Sequence, residues 1–476
     1  MSSRLRRVAL LTLALLTATT ITAGVAVVHL LPARLAFLRV PVVAAHPLAP
    51  DPAVLGPATG PSGPRATAAG VAAKLSGTLA LPALGPHVGA VVTSLDTGQV
   101  LLSSGATSPV TPASTTKLAT AVASLSVLGP AARLKTRVLA GPGTSIVLAG
   151  GGDPTLAAGA PPAGSYPRPA SLAQLAASTA RALRARHQKT VHLGYDATLF
   201  TGPELGPSWP ASYVSTGNVT PISALEVDQG RLTRRGKPQD ADDPGNFRPR
   251  SLTPAADAAQ AFASLLGQDG ITVRGGAQPA TAPHAAATLA SVSSPPLAQV
   301  VQWMLIESNN VIAEDLARQV AIATGRPATF SGSADAVMAA DQKLGVTGLT
   351  LVDGSGLSPR DLITPRALVQ LVTLAAGPGH PELRPVITGL PIAGFAGTLA
   401  PGGSVFGSPG PPALGVVRAK TGNLTRVVTL AGVADARGGQ LLMFAFMADQ
   451  VPKGQLLQAS AAIDDLAAEL AGCGCH

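Results

Sequence analysis

Hairpin signals at opposite ends of the chain constrain its fold more than any other feature. Gly89–Leu95 is rich in Val and Thr, Asp96-Thr97-Gly98 is a turn, and Gln99–Ser103 returns. Far downstream, Val427–Ala434 and Gln440–Met447 flank the turn Asp435–Gly439. An isolated hairpin is marginal in water. The simplest arrangement joins both hairpins in one antiparallel sheet built from the two chain ends, with the long, mostly helical middle forming inserted lobes. A helix is expected from Pro112 to about Leu128, with Leu118, Val122 and Leu125 at helical spacing and Gly129-Pro130 as its stop. A second amphipathic helix, Ala459–Leu470, closes the chain. The expected class is α/β in the α+β sense, an antiparallel sheet flanked by helices and interrupted by an inserted lobe.

At 476 residues the chain suits two or three lobes, and 46% apolar residues suffice for a sizeable core. Aromatics at 3% and charged residues at 12% make that core aliphatic and exclude a coiled coil or a highly charged disordered chain. The net charge is +9, but basic residues are scattered apart from Arg231–Lys237 and the Arg248/Arg250 pair. No aromatics interleave with them, which argues against nucleic-acid binding. The charge fits a weak attraction to anionic cell-surface polymers, or a solvated basic surface without a partner. Arg231–Arg250 reads as a loop or small excursion. Cys473 and Cys475, one glycine apart at the C-terminus, read as a frayed tail, neither a disulfide framework nor a four-ligand zinc site.

Arg4, Arg6 and Arg7 precede an uncharged run from Val8 to Val28. A basic front before an apolar stretch is an export signal. The run is long enough to span a bilayer, and the small residues Ala23–Ala26 offer a cleavage site. Residues 1–31 are thus either an uncleaved membrane anchor or a signal peptide, and the rest of the chain is expected outside the cytoplasm. The Pro- and Gly-rich stretch 32–70 reads as a semi-rigid linker, with folded structure beginning near Val71.

Three short motifs carry chemistry. Ser114-Thr115-Thr116-Lys117 gives Ser-x-x-Lys in the first turn of the expected helix. Positions i and i+3 share a helix face, so Lys117 lies beside the Ser114 hydroxyl. A lysine acts as a base only if burial and neighbouring cations lower its pKa. By itself the tetrapeptide also fits a capped helix start with a solvated lysine. Ser308-Asn309-Asn310 supplies a hydroxyl that can relay a proton and an amide, Asn310, that can hold a carbonyl. It also fits an N-cap. Lys420-Thr421-Gly422 directly precedes the late hairpin. There a lysine and a threonine at the start of an edge strand can clamp a carboxylate, and the glycine admits a ligand close to the backbone. Each motif occurs once and at an element boundary. No cofactor is called for. The histidines form no metal-binding pair, no nucleophile elbow marks a Ser-His-Asp triad, and Asp153 in its Gly-rich stretch lacks the lysine of a P-loop.

With these three motifs in this order, the chain resembles the penicillin-interacting serine hydrolases. It is most similar to their class C low-molecular-mass penicillin-binding proteins, D-alanyl-D-alanine carboxypeptidases that can also act as endopeptidases. Gly150–Leu156, Asp196–Phe200, Pro221–Leu225, Asp353–Ser358 and Gly394–Leu399 carry the same resemblance. It implies a penicillin-binding transpeptidase/β-lactamase-like domain, 71–135 with 295–476, interrupted by an inserted domain or domains at 136–294. The insert is short for the family, so the smaller inserted domain is expected to be reduced or missing.

The resemblance also implies the roles. Ser114 attacks the carbonyl between two D-alanines, Lys117 takes its proton, and Ser308 with Lys420 protonates the leaving amine. Asn310 holds Lys117 and the substrate amide. Lys420 and Thr421 bind the terminal carboxylate beside Gly422, and the N–H groups of Ser114 and Asn423 form the oxyanion hole. The family usually has threonine where this chain has Asn423; the N–H survives, but a hydroxyl contact is lost. The implied partners are a peptidoglycan stem peptide, β-lactams as inhibitors and, through the N-terminal segment, the cytoplasmic membrane. Two competing readings are a β-lactamase or esterase on the same scaffold and a catalytically silent, penicillin-sensing wall-binding protein.

Overall fold

The computed structural model describes residues 65–232, 248–283, 285–401 and 409–475. The expected N-terminal segment 1–31 and most of the linker lie outside these residues. Among the described residues no helix is long and apolar enough to cross a membrane. The first helix among the described residues, α1 (Ala68–Leu79), starts slightly before the expected Val71, because Thr67 Oγ1 caps it by accepting from Gly70 N at 3.1 Å. The hairpin β1 (Val88–Ser94) and β2 (Val100–Ser104) follows. A one-turn 3-10 segment, Ala113–Thr116, leads into α2 (Lys117–Leu128), which ends at Gly129 with φ +82°.

The middle of the chain departs from the mostly helical expectation. It holds β3 (Lys135–Ala140), β4 (Ser145–Ala149), α3 (Leu172–Ala185), β5 (Thr190–Asp196), α4 (Pro254–Gln268), β6 (Thr272–Pro279) and β7 (Thr288–Ser293). These strands form a mixed sheet in the order β6-β5-β4-β3-β7. The chain enters it on β3 and leaves on β7, which are antiparallel neighbours. Leu134 N donates to Ser294 Oγ at 2.9 Å where the two connections meet. A separate, largely aliphatic core, with Leu148, Leu175, Leu183 and Val191 around Phe262, lies between this sheet and helices α3 and α4. At the edge of the lobe, Arg231 and Arg250 form an isolated antiparallel bridge. The Arg250 guanidinium is buried and donates to Gly217 O and Gln229 O, so this member of the basic cluster supports the fold rather than the surface.

Four longer helices come next, α5 (Leu297–Ile306), α6 (Asn310–Ala323), α7 (Phe330–Lys343) and α8 (Pro365–Ala376), followed by a five-residue helical turn, Arg384–Thr388. The chain then returns through β8 (Val417–Leu424), β9 (Val427–Ala436), β10 (Gln440–Ala448) and α9 (Leu456–Ala471). The sheet they complete runs β8-β9-β10-β1-β2, antiparallel throughout, and joins the two chain ends as the hairpins require. Helices α1 and α9 pack on one face and α8 on the other. Double coverage explains why β9 and β10 are buried along nearly their whole length, with Phe444 and Phe446 stacked 5.0 Å apart.

The C-terminal tail is not frayed. Cys473 is buried in the core of this sheet and forms a disulfide with Cys475, whose carbonyl accepts from Thr67 N at 2.7 Å. The tail therefore closes over the start of α1, because α9 runs its apolar face directly into that core.

Candidate active site

Ser114 lies in the 3-10 turn, and Ala113 before it takes φ +48°, a conformation L side chains rarely adopt. Such backbone costs about 1–3 kcal/mol and persists where neighbours over-determine it. Two glycines are those neighbours. A Cβ on Gly356 would lie 2.8 Å from Thr116 Oγ1, and one on Gly422 would lie 2.7 Å from Pro112 O and 3.1 Å from Ser114 N. The turn is thus gripped between β8 and the 353–358 loop.

Lys117, with 0% exposure, is no solvated lysine. Its Nζ lies 2.9 Å from Ser114 Oγ, 2.7 Å from Asn310 Oδ1 and 2.7 Å from Ser355 O. An ammonium donates three hydrogens, whereas a neutral amine donates two and keeps one lone pair. Asn310 Oδ1 and Ser355 O can only accept. In the neutral state they take both N–H bonds, and the lone pair is left facing the Ser114 hydroxyl. The Asn310 amide is held in this orientation because its Nδ2 donates to Asn218 O at 2.8 Å. Burial pushes Lys117 down to about 7, against the opposing pull of Asp353, Glu314 and Asp361.

Ser308 sits in the turn between α5 and α6 with φ +55°. Asn309 is the N-cap, its Oδ1 accepting from Ile312 N at 3.1 Å, so the motif begins a helix and also places Asn310 in its first turn. Lys420, fully buried, donates from Nζ to Ser308 Oγ and to Thr421 O, both at 2.8 Å. Burial, then the charge of Lys117, holds Lys420 well below the ordinary lysine range.

Lys-Thr-Gly lies in the middle of β8, at the fourth to sixth of its eight residues, not at its start. The outer edge of β8 is partly covered: Ala393 N donates to Val417 O and Ala419 N to Pro391 O. In an antiparallel ladder both backbone groups of a residue point the same way, and the direction alternates. Residues 417 and 419 point outward, so Thr421 and Asn423 do too, beyond the covered stretch. Asn423 is exposed, while the Thr421 side chain turns inward to meet Thr398 Oγ1 at 2.7 Å. The structure thus gathers Ser114, Lys117, Ser308, Asn310, Lys420 and Thr421 around one point, with Gly422 against the nucleophile turn. For Asn423 the backbone, not the side chain, faces the open edge.

The Asp353–Ser358 stretch contributes directly to the site, because Ser355 O is one of the acceptors of Lys117. The loop is held by buried carboxylates. Asp353 Oδ1 accepts from Ser355 N and Gly356 N at 3.0 and 2.6 Å, and its Oδ2 from Ser358 N and Trp209 Nε1 at 2.7 and 2.8 Å. Asp361 Oδ1 accepts from Val352 N at 2.6 Å. A Ser-His-Asp line also occurs: His87 Nδ1 is 2.6 Å from Asp449 Oδ1 and its Nε2 2.9 Å from Ser108 Oγ. Asp449 Oδ2 accepts from Thr111 N at 2.9 Å, so the line ties the segment leading to Ser114 onto the ends of β1 and β10. Among the described residues no cluster of His, Cys, Asp and Glu could hold a metal ion.

Comparison with known proteins agrees with this geometry. The chain is 39% identical over 419 residues to a carboxypeptidase of Mycobacterium tuberculosis, covering 86% of this chain and 85% of that one. It is 37% identical over 450 residues to carboxypeptidase DacB of Mycolicibacterium smegmatis, covering 90% and 91%. The fold matches penicillin binding protein 4 from Haemophilus influenzae with a TM-score of 0.66 and 22% identity, over 82% of this chain and 97% of that one. Residues 71–249 and 235–470 match the D-Ala-D-Ala carboxypeptidase 3 (S13) family, and with this coverage the chain belongs to that family and is a serine-type D-Ala-D-Ala carboxypeptidase.

Proposed function

We propose that the chain cleaves the terminal D-alanyl-D-alanine bond of peptidoglycan stem peptides through an acyl-enzyme on Ser114. Ser114 Oγ attacks the carbonyl as its proton passes to neutral Lys117. The N–H groups of Ser114 and Asn423 receive the developing oxyanion. The proton taken by Lys117 is relayed through the Ser308 hydroxyl, held by Lys420, to the leaving amine, which returns Lys117 to its neutral state, and Lys420 with Thr421 binds the terminal carboxylate. Water, deprotonated by Lys117, then releases the acyl group. One observation carries the reading: two fixed acceptors, Asn310 Oδ1 and Ser355 O, leave Lys117 one direction for its lone pair, toward Ser114. A β-lactam presents a strained amide and a carboxylate to the same groups and acylates Ser114. The Haemophilus influenzae protein of this fold has been crystallised with a β-lactam.

The test combines intact mass after penicillin treatment with D-alanine release from a pentapeptide. Wild type is expected to gain one adduct, mapped to Ser114, and to release D-alanine; Ser114→Ala is expected to do neither. Equal release by both sinks the assignment, and rapid turnover of the adduct favours a β-lactamase instead.

The same reading assigns 71–135 and 295–476 to the peptidase domain and 136–294 to an inserted lobe. It places the enzyme at the cell wall, held at the cytoplasmic membrane by residues 1–31 or secreted after their removal. Alkaline extraction of membranes distinguishes the two, since only an anchored protein stays in the pellet.

A further inference from the structure

The acceptor that aims Lys117 is itself aimed. Ser355 O belongs to a loop peptide, and loops hold geometry only where something fixes them. Glu314 lies one helical turn after Asn310 on α6, on the same face. Its Oε1 accepts from Gly354 N at 3.0 Å and Ser355 N at 2.9 Å. On the far side of the same peptide run, Thr120 Oγ1 donates to Gly354 O at 2.6 Å. The other Glu314 oxygen faces Arg318 Nη1 at 3.6 Å, and the Arg318 guanidinium is fixed 4.2 Å above the Phe330 ring. Glu314 and Arg318 are both buried. A buried carboxylate is costly unless paired or hydrogen-bonded, and this one spends its bonds on the backbone next to Ser355 O.

We propose that Glu314 is a positioning residue for acylation: through the Gly354–Ser355 amides it fixes Ser355 O, and so, together with Asn310 on the same helix face, fixes the direction of the Lys117 lone pair. One α6 surface thereby controls both acceptors of the base. This rests on the reading of Lys117 as the base for Ser114. Glu314 also adds negative charge near Lys117. The other charged groups acting on Lys117 are Asp353 and Asp361 from the loop and Lys420 from β8, while Arg318 and Asp315 on α6 face Glu314 itself, which burial raises to about 7.

Two variants separate position from charge. Glu314→Gln keeps an oxygen for both amides and removes the charge; Glu314→Ala removes both. The measurement is the rate of Ser114 labelling by fluorescent penicillin across pH, with the adduct mapped by mass. Glu314→Ala is expected to lower the maximal rate by about tenfold or more, because a misplaced base costs rate steeply. Glu314→Gln is expected to keep the maximal rate within about threefold, since its bonds survive. Rescue of the rate by the isosteric amide is what separates positioning from charge. If Glu314→Ala does not fold, Glu314→Asp, which keeps a carboxylate but is one methylene too short to hold both amides, takes its place with the same expected loss. Labelling at the wild-type maximal rate by folded Glu314→Ala or by Glu314→Asp, or a Glu314→Gln rate as low as theirs, overturns the role while leaving Lys117 as the base. Wild type with no adduct on Ser114 overturns the underlying reading, and the role of Glu314 with it.

Discussion

Lys420 Nζ donates to Ser308 Oγ across 2.8 Å, joining strand β8 to the turn that starts α6. The bond occupies the Ser308 oxygen as acceptor and leaves its O–H free to donate outward. If the pair acts as one proton-delivery unit, the effects of removing its members are not additive. Lys420→Ala is expected to lower kcat/KM for D-alanine release by about 10²-fold or more. Ser308→Ala added to that variant is expected to cost little further. Fully additive losses would show that the two act separately.

Lys117 is pushed by burial to about 7 and works only when neutral. Acylation is therefore expected to rise through about pH 7 with dependence on a single proton and to flatten above it. The sign follows from the role: protonation consumes the lone pair that faces Ser114. Stopped-flow acylation by a chromogenic cephalosporin between pH 5 and 9 checks this. A rate flat across that range contradicts a lysine base.

Gly422 has a backbone role that any side chain destroys. A Cβ there would lie 2.7 Å from Pro112 O, inside the contact that seats β8 against the nucleophile turn. Gly422→Ala is expected to cost about 1–3 kcal/mol of stability and to slow Ser114 labelling more than its loss of folded protein accounts for. Thermal melts beside labelling rates separate the two effects.

What was legible in the sequence was local. Ser-x-x-Lys brings Lys117 to Ser114 in a helical turn of either kind, so the 3-10 start did not matter. The two hairpins demanded a shared sheet, and β1 pairs with β10 as that requires. The second sheet was illegible because its strands carry weak signals: β6 reads Thr-Val-Arg-Gly-Gly-Ala-Gln-Pro and is largely exposed. Ser355 and Glu314 act through a backbone carbonyl and a buried carboxylate, and neither role leaves a residue-type signature. Cys473 was misread because its burial depends on where α9 packs, a tertiary fact.

The His87 line has the contacts of a triad, but its serine, Ser108, lies six positions before Ser114, in a segment the line ties down through Asp449. Ser108→Ala is expected to leave the penicillin adduct on Ser114 intact. His87→Ala is expected to lower stability by about 1–2 kcal/mol, the size of one or two lost hydrogen bonds. Loss of the adduct in Ser108→Ala would move the nucleophile to Ser108.

Glu226 gives a stability prediction with a definite sign. It is buried beside Arg250, Arg231 and Asp153, and burial outweighs the arginines, raising it from the usual carboxylate range to about 8. A carboxyl raised in the folded state binds more protons there than in the unfolded chain between about 4.5 and about 8. Its contribution is fully present below about 4.5 and is lost as pH rises through about 8. Glu226→Gln keeps the shape and removes the titration. The stability of wild type relative to this variant is therefore expected to fall as pH rises from 5 to 8, with a slope of at most about 1.4 kcal/mol per pH unit. Lys117, lowered in the folded state, changes stability in the opposite direction above about pH 7, but it is common to both proteins and cancels in the difference. Chemical denaturation of the pair at pH 5, 6, 7 and 8 measures this. Parallel stability curves would mean that Arg231 and Arg250 keep Glu226 ionised throughout.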